Sequence, residues 1–282
     1  ERALTLTTVI ITVGALSAVA GSVPYRILHY DNLGRRPQGA LSHYMTYSGT
    51  LMLVAGAASA RLIYRQEDRI WAALVMPAVL GALALTFTRS AWVGACAALA
   101  VLMVIKDRRL LAVLPVAAAL FIALAPARIT DRVYSMFDLN DPTNRDRVAM
   151  LQAGARMVAD HPITGLGPNM VRESYARYRV PTAVEPLNVH LHNVPMHIAA
   201  ERGLPALAIY GWFIVTVAVD MLRRLRSSPH PSLPAAGLAA VVAMLAAGLF
   251  EYNFGDSEFL MLFLVLVTLP YAAERPADAA HA

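Results

Sequence analysis

Two histidines stand two residues apart in Val189-His190-Leu191-His192-Asn193, shortly before an apolar run that opens at Gly203. An imidazole with an ordinary pKa of about 6.5 can take a proton from a hydroxyl at neutral pH and so turn it into a nucleophile. Arg89, Arg147 with its neighbour Arg145, and Arg36 lie at or near the ends of apolar segments. The planar guanidinium fork matches two phosphate oxygens at once. An arginine inside an apolar run is costly and commonly lines a polar cavity. Together these residue types suit a hydroxyl activated against an anionic, phosphate-bearing leaving group. Each has a plainer reading. A histidine can be hydrogen-bonded in a surface loop, an arginine can snorkel to an interface, and Asp146 can balance Arg145 and Arg147 on a solvated helix face. His190 rivals His192 for the base, and a zinc site from His190, His192 and His197 is a further alternative. Asn193 and Glu251 are secondary candidates, Glu251 to assist the base or orient the acceptor, and a capped turn is the competing reading of Glu251 and Asp256.

The elements that position these residues are membrane helices. The chain is 57% hydrophobic and 15% charged, with a mean hydropathy of +0.51; soluble domains are about 45–50% apolar and about 25% charged. The net charge of +5 rests on arginine, Lys106 being the lone lysine. No basic stripe with interleaved aromatics points to nucleic acid. Cys96 is single, so no intramolecular disulfide forms. Apolar segments at 4–25, 41–60, 70–88, 90–105, 110–127, 203–222, 235–250 and 259–273 predict eight spans, two of them turning at Thr88-Arg89-Ser90. The first residue is Glu1 and no signal peptide stands out, which suggests a fragment lacking earlier helices.

Arg61, Arg65 and Arg69 are read as one short loop, Lys106, Arg108 and Arg109 as the next, and Arg223, Arg224 and Arg226 as a third. Basic short loops stay cytoplasmic. That places Arg89, the long polar stretch 128–202 and the 251–258 turn together on the outer side, the periplasm in a bacterium. Arg26, Arg35 and Arg36 run against the rule. The expected architecture is an all-α polytopic transmembrane bundle: spans one to five over 1–127, a periplasmic catalytic loop over 128–202, spans six to eight over 203–273, and a cytoplasmic tail over 274–282. Within the loop, Asn144 is expected to cap an amphipathic helix over 145–159 whose apolar face is Val148, Leu151, Ala155 and Val158, lying along the membrane surface. Asp160-His161-Pro162 ends it, and Gly165-Leu166-Gly167-Pro168-Asn169 is a tight turn rather than a phosphate loop. Tyr175, Arg177, Tyr178 and Arg179 are candidates for a sugar groove, with packing inside the loop as the alternative.

Several pieces recur in order: Arg36-Pro37-Gln38-Gly39; Thr88-Arg89-Ser90; Arg147 on a helix leading to Asp160-His161-Pro162-Ile163-Thr164-Gly165-Leu166-Gly167; and His192-Asn193, nine residues, Gly203. In this order and membrane setting the chain resembles the O-antigen ligase and O-antigen polymerase superfamily of integral membrane glycosyltransferases. The histidine–glycine element is closest to the ligase branch, although Pro205 and Ala206 fill the stretch where ligases often carry a second glycine. The resemblance implies a glycan donor on undecaprenyl diphosphate and lipid A–core or a growing glycan as acceptor. It also implies His192 as catalytic base, Arg89 and Arg147 (or Arg145) with Arg36 on the diphosphate, and a metal-independent, cofactor-free inverting transfer at the bacterial inner membrane. The alternatives within the superfamily are a glycan polymerase and a protein O-oligosaccharyltransferase. Outside it stand a lipid-linked glycan flippase, which would show paired broken helices, and an outer-leaflet zinc hydrolase.

Overall fold

The computed structural model describes residues 1–27, 36–41, 43–64 and 69–274, and every regular element among them is helical. The helices are α1 (Arg2–Ile27), α2 (Tyr44–Tyr64), α3 (Arg69–Leu85), α4 (Arg89–Lys106), α5 (Val113–Leu124), α6 (Ala127–Tyr134), α7 (Pro142–Asp160), α8 (Met170–Tyr178), α9 (Val194–Ser227), α10 (Ser232–Gly248) and α11 (Ser257–Glu274). Short 3-10 turns lie at Arg108–Ala112 and Asn253–Gly255. Each expected apolar segment is helical, but among the described residues only α1, α4 and α9 are long and apolar enough to cross a membrane by length and composition. α3, α10 and α11 are apolar and shorter. α2 has 21 residues but spends many on Thr, Ser, Gly and Tyr. The 12 residues of α5 reach about 18 Å at about 1.5 Å per residue, well short of a hydrocarbon core of about 30 Å.

α10 is the hub. It packs on α2, α4, α9 and α11, and nearly all of its side chains are buried, most of them Ala or Gly. Between helices in lipid the hydrophobic effect offers little drive, so small residues that let backbones approach closely do the joining. Gly94 of α4 shows the requirement: a Cβ there would lie 2.2 Å from Met52 Sδ and 2.8 Å from the Ala243 carbonyl oxygen. Large apolar side chains instead face outward from the bundle, as with Leu16, Leu74, Trp212 and Met261. α5 has no buried residue at all. A bundle polar within its loops and greasy on its flanks is built for lipid.

The two ends of the bundle differ in what they collect. Ala3, Leu233 and Leu269 pack together, Arg61 donates to the Leu4 carbonyl, Lys106 lies over the Tyr64 ring and Arg224 over that of Tyr271. One end therefore gathers the start of α1, the ends of α2 and α4, the end of α9, the start of α10 and the end of α11. The expectation that Arg61 sits in a short loop is corrected: it is a buried residue of α2, 1% exposed. Arg35, Arg65 and the expected tail beyond Glu274 lie outside the described residues. The opposite end carries α6, α7, α8 and the first turns of α9.

In that polar region α7 begins at Pro142, with Asp141 as its N-cap accepting from the Thr143 and Asn144 backbone N–H groups at 3.0 and 3.2 Å. The expected cap, Asn144, lies inside the helix and donates to the Ser135 and Asp138 carbonyls. Proline at the first helical position needs no N–H partner and has the right φ, which favours the earlier start. The buried face of α7 is also not the expected one. Ala149, Met150, Ala153, Gly154 and Met157 are buried, whereas Val148 and Ala155 are exposed. The small residues win because α9 lies close: a Cβ on Gly154 would meet Met196 and Leu191 at 2.6 and 2.8 Å. Tyr175 and Tyr178 pack beneath this face with Leu191 and Ala200, and Arg179 donates to the Glu185 and Ala183 carbonyls. The two tyrosines thus belong to the core of this region, while Arg177 and Arg179 are exposed.

Candidate active site

The catalytic candidates sit where α9 begins. Asn193 caps it, its side-chain oxygen accepting from Met196 N–H at 2.9 Å. The same amide donates to the Leu249 carbonyl at 3.0 Å, just past the end of α10. That bond places the 190–192 segment beside the 249–252 turn. His192 has a φ of +46°, a left-handed conformation uncommon for a residue with a side chain and worth about 1–3 kcal/mol of strain.

Ten residues on, α9 breaks at Gly203, with φ +80° and ψ 172°. In an unbroken helix Leu204 N–H would bond the Ala200 carbonyl, and the Glu201 carbonyl would be orphaned, because Pro205 has no N–H. Residues 162–167 replace those bonds. Leu204 N–H donates to the Pro162 carbonyl at 2.8 Å, and the Ala200 and Glu201 carbonyls accept from Leu166 and Gly167 N–H at 2.8 and 2.9 Å. The contact leaves no room for side chains. A Cβ at Gly203 would lie 2.0 Å from the Ile163 carbonyl oxygen, and one at Gly165 2.3 Å from the Glu201 carbonyl carbon. The His-Asn-to-glycine spacing and the Asp-His-Pro-Ile-Thr-Gly-Leu-Gly segment are thus two halves of one joint, which docks α7 and α8 onto the helix that presents His192.

Around the candidate base, His192 Nδ1 lies 2.9 Å from Glu251 Oε1 and His190 Nε2 lies 3.5 Å from the same oxygen. The His192 approach has hydrogen-bond distance but not its direction, so Nδ1 is left without an aligned acceptor. The negative oxygen nevertheless favours a proton on Nδ1, leaving Nε2 as the basic nitrogen. Glu251 Oε1 also accepts from Tyr252 N–H at 3.1 Å, while Oε2 is buried without a partner. Burial alone would raise the Glu251 pKa; the close approach of His190 and His192 outweighs it and holds the carboxyl well below the usual range. The two imidazoles lie with ring centroids 4.3 Å apart. His197 is turned away: its Nδ1 accepts from Leu191 N–H at 3.4 Å and its Nε2 faces Glu201 at 3.4 Å. The three-histidine zinc site therefore does not assemble. One ligand atom each from His190, His192 and Glu251 lies within 4.8 Å of the others, a grouping that could hold a metal ion.

The arginines converge on the same end but are not equivalent. Arg89 opens α4 and is 4% exposed. One terminal nitrogen donates to the Ser135 carbonyl and hydroxyl at 2.9 and 3.1 Å, and the other pairs with Asp141 at 3.2 Å. Its fork, expected on the diphosphate, is taken up by protein acceptors. Arg145 is exposed on the far side of α7 from Arg147. Arg147 is half-buried, its Nε enclosed without a hydrogen-bond partner. Burial lowers its pKa, the nearby Glu251 carboxylate raises it and Arg89 lowers it further, so it lies electrically between the base cluster and Arg89. Arg36 stacks its guanidinium 4.5 Å from the centre of the Tyr44 ring. Asp146, the expected counter-charge, instead is buried and accepts from Val184 and Glu185 N–H and from Asn188. Asp256 accepts from Phe259 N–H at 3.2 Å and from the Thr46 hydroxyl, tying α11 to α2 as a capped turn.

One member was missed. Arg132, on α6, is pushed down to about 10 by burial and by the charges of Arg89 and Arg36, with Asp141 opposing and Arg147 adding. It belongs to the same cluster, yet in the sequence nothing separates it from Arg128 four residues earlier.

Residues 72–211 match the family described as O-antigen ligase. No curated protein matches the chain. The matched stretch contains Arg89, Arg132, Arg147, His192 and the Gly203 joint, while Arg36 and Glu251 fall outside it. Sequence match, apolar helices and the order of the motifs agree, and the chain belongs to the O-antigen ligase superfamily.

Proposed function

We propose that this membrane glycosyltransferase moves a glycan from undecaprenyl diphosphate to an acceptor hydroxyl, and that the acceptor is lipid A–core. The observation that carries the reading is the His192–Glu251 contact at 2.9 Å, set beside an under-partnered arginine cluster that includes Arg147. Glu251 orients His192 and favours the basic form of Nε2. Nε2 takes the acceptor's proton as its oxygen attacks the anomeric carbon. The bond from that carbon to the diphosphate oxygen breaks on the opposite face, so the configuration inverts. The leaving group departs as an anion that needs no proton, stabilised by Arg147 and its neighbours. The site faces the periplasm of the bacterial inner membrane, where no nucleotide supplies the energy; the diphosphate linkage does. No metal takes part, because coordination would consume the Glu251 oxygen and the His192 nitrogen that together shape the base.

Reconstitution in liposomes with an undecaprenyl-diphosphate-linked glycan and lipid A–core, in EDTA, tests this directly. The expected result is transfer to lipid A–core that disappears in His192→Ala. Lengthening of the donor glycan alone would replace the ligase reading by the polymerase one. Dependence on added zinc would remove the metal-free mechanism.

A further inference from the structure

Arg132 and Arg89 each hold the backbone beside the other's helix end. Arg132 reaches from α6 to the turn before α4, its Nε donating to the Phe87 carbonyl at 3.3 Å. Arg89 reaches back from α4 to the end of α6, donating to the Ser135 carbonyl at 2.9 Å, and the Ser135 hydroxyl in turn donates to the Arg132 carbonyl at 2.9 Å. Phe87, with a φ of +52°, and Ile129 pack together beneath this clamp. The outcome for the two forks is opposite. Arg89 spends both terminal nitrogens on Ser135 and Asp141. Arg132 is held by its Nε alone, its two terminal nitrogens having no protein acceptor among the described residues. A half-buried guanidinium anchored at its neck, with its donor pair free and further guanidinium groups beside it, is arranged to receive an anion rather than to balance a carboxylate.

We infer that Arg132 is a donor-binding residue, its terminal nitrogens taking phosphate oxygens of the lipid diphosphate together with Arg147, while Arg89 is a positioning residue that fixes the α4–α6 clamp. This rests on the lipid-diphosphate reading above and deepens it. A pair of charge-assisted hydrogen bonds lost from such a site weakens binding by about ten- to a hundredfold. Burial first, and then the charges of Arg89 and Arg36, lower its pKa, as befits a cation set among other cations.

The experiment is binding of inorganic pyrophosphate, and separately of undecaprenyl diphosphate, to the whole chain in nanodiscs, alongside the KM for donor and for acceptor. Arg132→Gln should weaken both ligands about tenfold or more and raise the donor KM with the acceptor KM unchanged, while loss of the Nε bond to Phe87 lowers the melting temperature only slightly. Arg132→Lys should recover only part of the loss, because a point charge cannot bridge two oxygens. Arg156→Gln, on the exposed outer part of α7, is the charge control and should bind as the wild type does. Wild-type affinity in Arg132→Gln would overturn the inference while leaving the donor reading intact. A fall in melting temperature with equal rises in donor and acceptor KM would also overturn it, by showing a structural role. Failure of the wild-type chain to bind either ligand would remove the donor reading and this inference with it.

Discussion

The two ends of the bundle treat their cations in opposite ways. At one end Arg61 is spent on the Leu4 carbonyl, Lys106 lies over Tyr64, and Arg224 is shared between Asp220 at 2.7 Å and the face of Tyr271. At the other, among the described residues the Arg147 guanidinium has no hydrogen-bond acceptor and Arg132 holds the protein by its Nε alone, leaving the terminal nitrogens of both open. Both ends contain arginine at helix termini, so residue type and position do not separate them. Satisfaction does. A guanidinium head left open beside other cations can take the oxygens of an anionic ligand, and such a cluster persists where a ligand completes it.

Replacements at the two ends should therefore differ in kind. The largest effect belongs to the base: His192→Ala should cut transfer by about a hundredfold to ten-thousandfold, measured by radiolabelled glycan appearing on lipid A–core, with membrane insertion unaltered. Retained transfer would dissolve the contrast, since the polar end would then carry no chemistry. Gly203→Ala comes next. Its Cβ would meet the Ile163 carbonyl and force a positive φ on alanine, which costs about 1–3 kcal/mol before the collision is counted. The expected result is loss of most activity together with protease cleavage near residues 162–167, while the bundle stays inserted. Glu251→Gln should lower kcat by about tenfold to a hundredfold with little change in donor KM, the mark of a group that acts through His192. Arg224→Ala, at the opposite end, should leave kcat and both KM values within about twofold and lower the melting temperature slightly, as a partly exposed pair worth about 1 kcal/mol or less allows. If Arg224→Ala instead raised the donor KM, cation satisfaction would have no value as a guide to the site.

Much of the helical layout was legible because apolar runs and helix ends are local. The turn at Thr88 and the end of α7 at Asp160 follow from short-range chemistry, whereas Gly203, read as the start of a span, is a break inside a helix that begins at Val194 and is held by residues 162–167. The face that α7 buries was not legible. Val148, Leu151, Ala155 and Val158 make the greater apolar stripe, but α9 comes near enough that Ala149, Ala153 and Gly154 decide the contact. Small residues signal closeness only once the neighbour is known. For the site, the two histidines and the glycine could be picked out by spacing. The grouping of His192 with Glu251 could not, because it depends on the Asn193 bond to Leu249 across 56 positions. Likewise the roles of Arg89 and Arg132 are set by which acceptors reach them, Asp141 and Ser135 for one and a lone carbonyl for the other.

The smallest effect tests whether Arg89 belongs with the saturated cations. Burial would raise the Asp141 pKa, but the Arg89 charge, the Asn144 N–H bond and the bonds from Arg89 and Thr143 lower it overall. A carboxyl whose folded pKa is depressed contributes stability that is fully present above its unfolded value, about 3.9, and is lost as pH falls through the lower folded value. The wild-type melting temperature should therefore fall between about pH 5 and about pH 3 by more than that of Asp141→Asn, which has nothing there to titrate. The difference should be small, because Asp141 is only partly enclosed and solvent screens its charge. At neutral pH the same variant should keep its donor KM if Arg89 serves only the clamp. A raised donor KM in Asp141→Asn would instead mean that freeing the Arg89 fork disturbs a phosphate contact, and Arg89 would move from the saturated set to the ligand set.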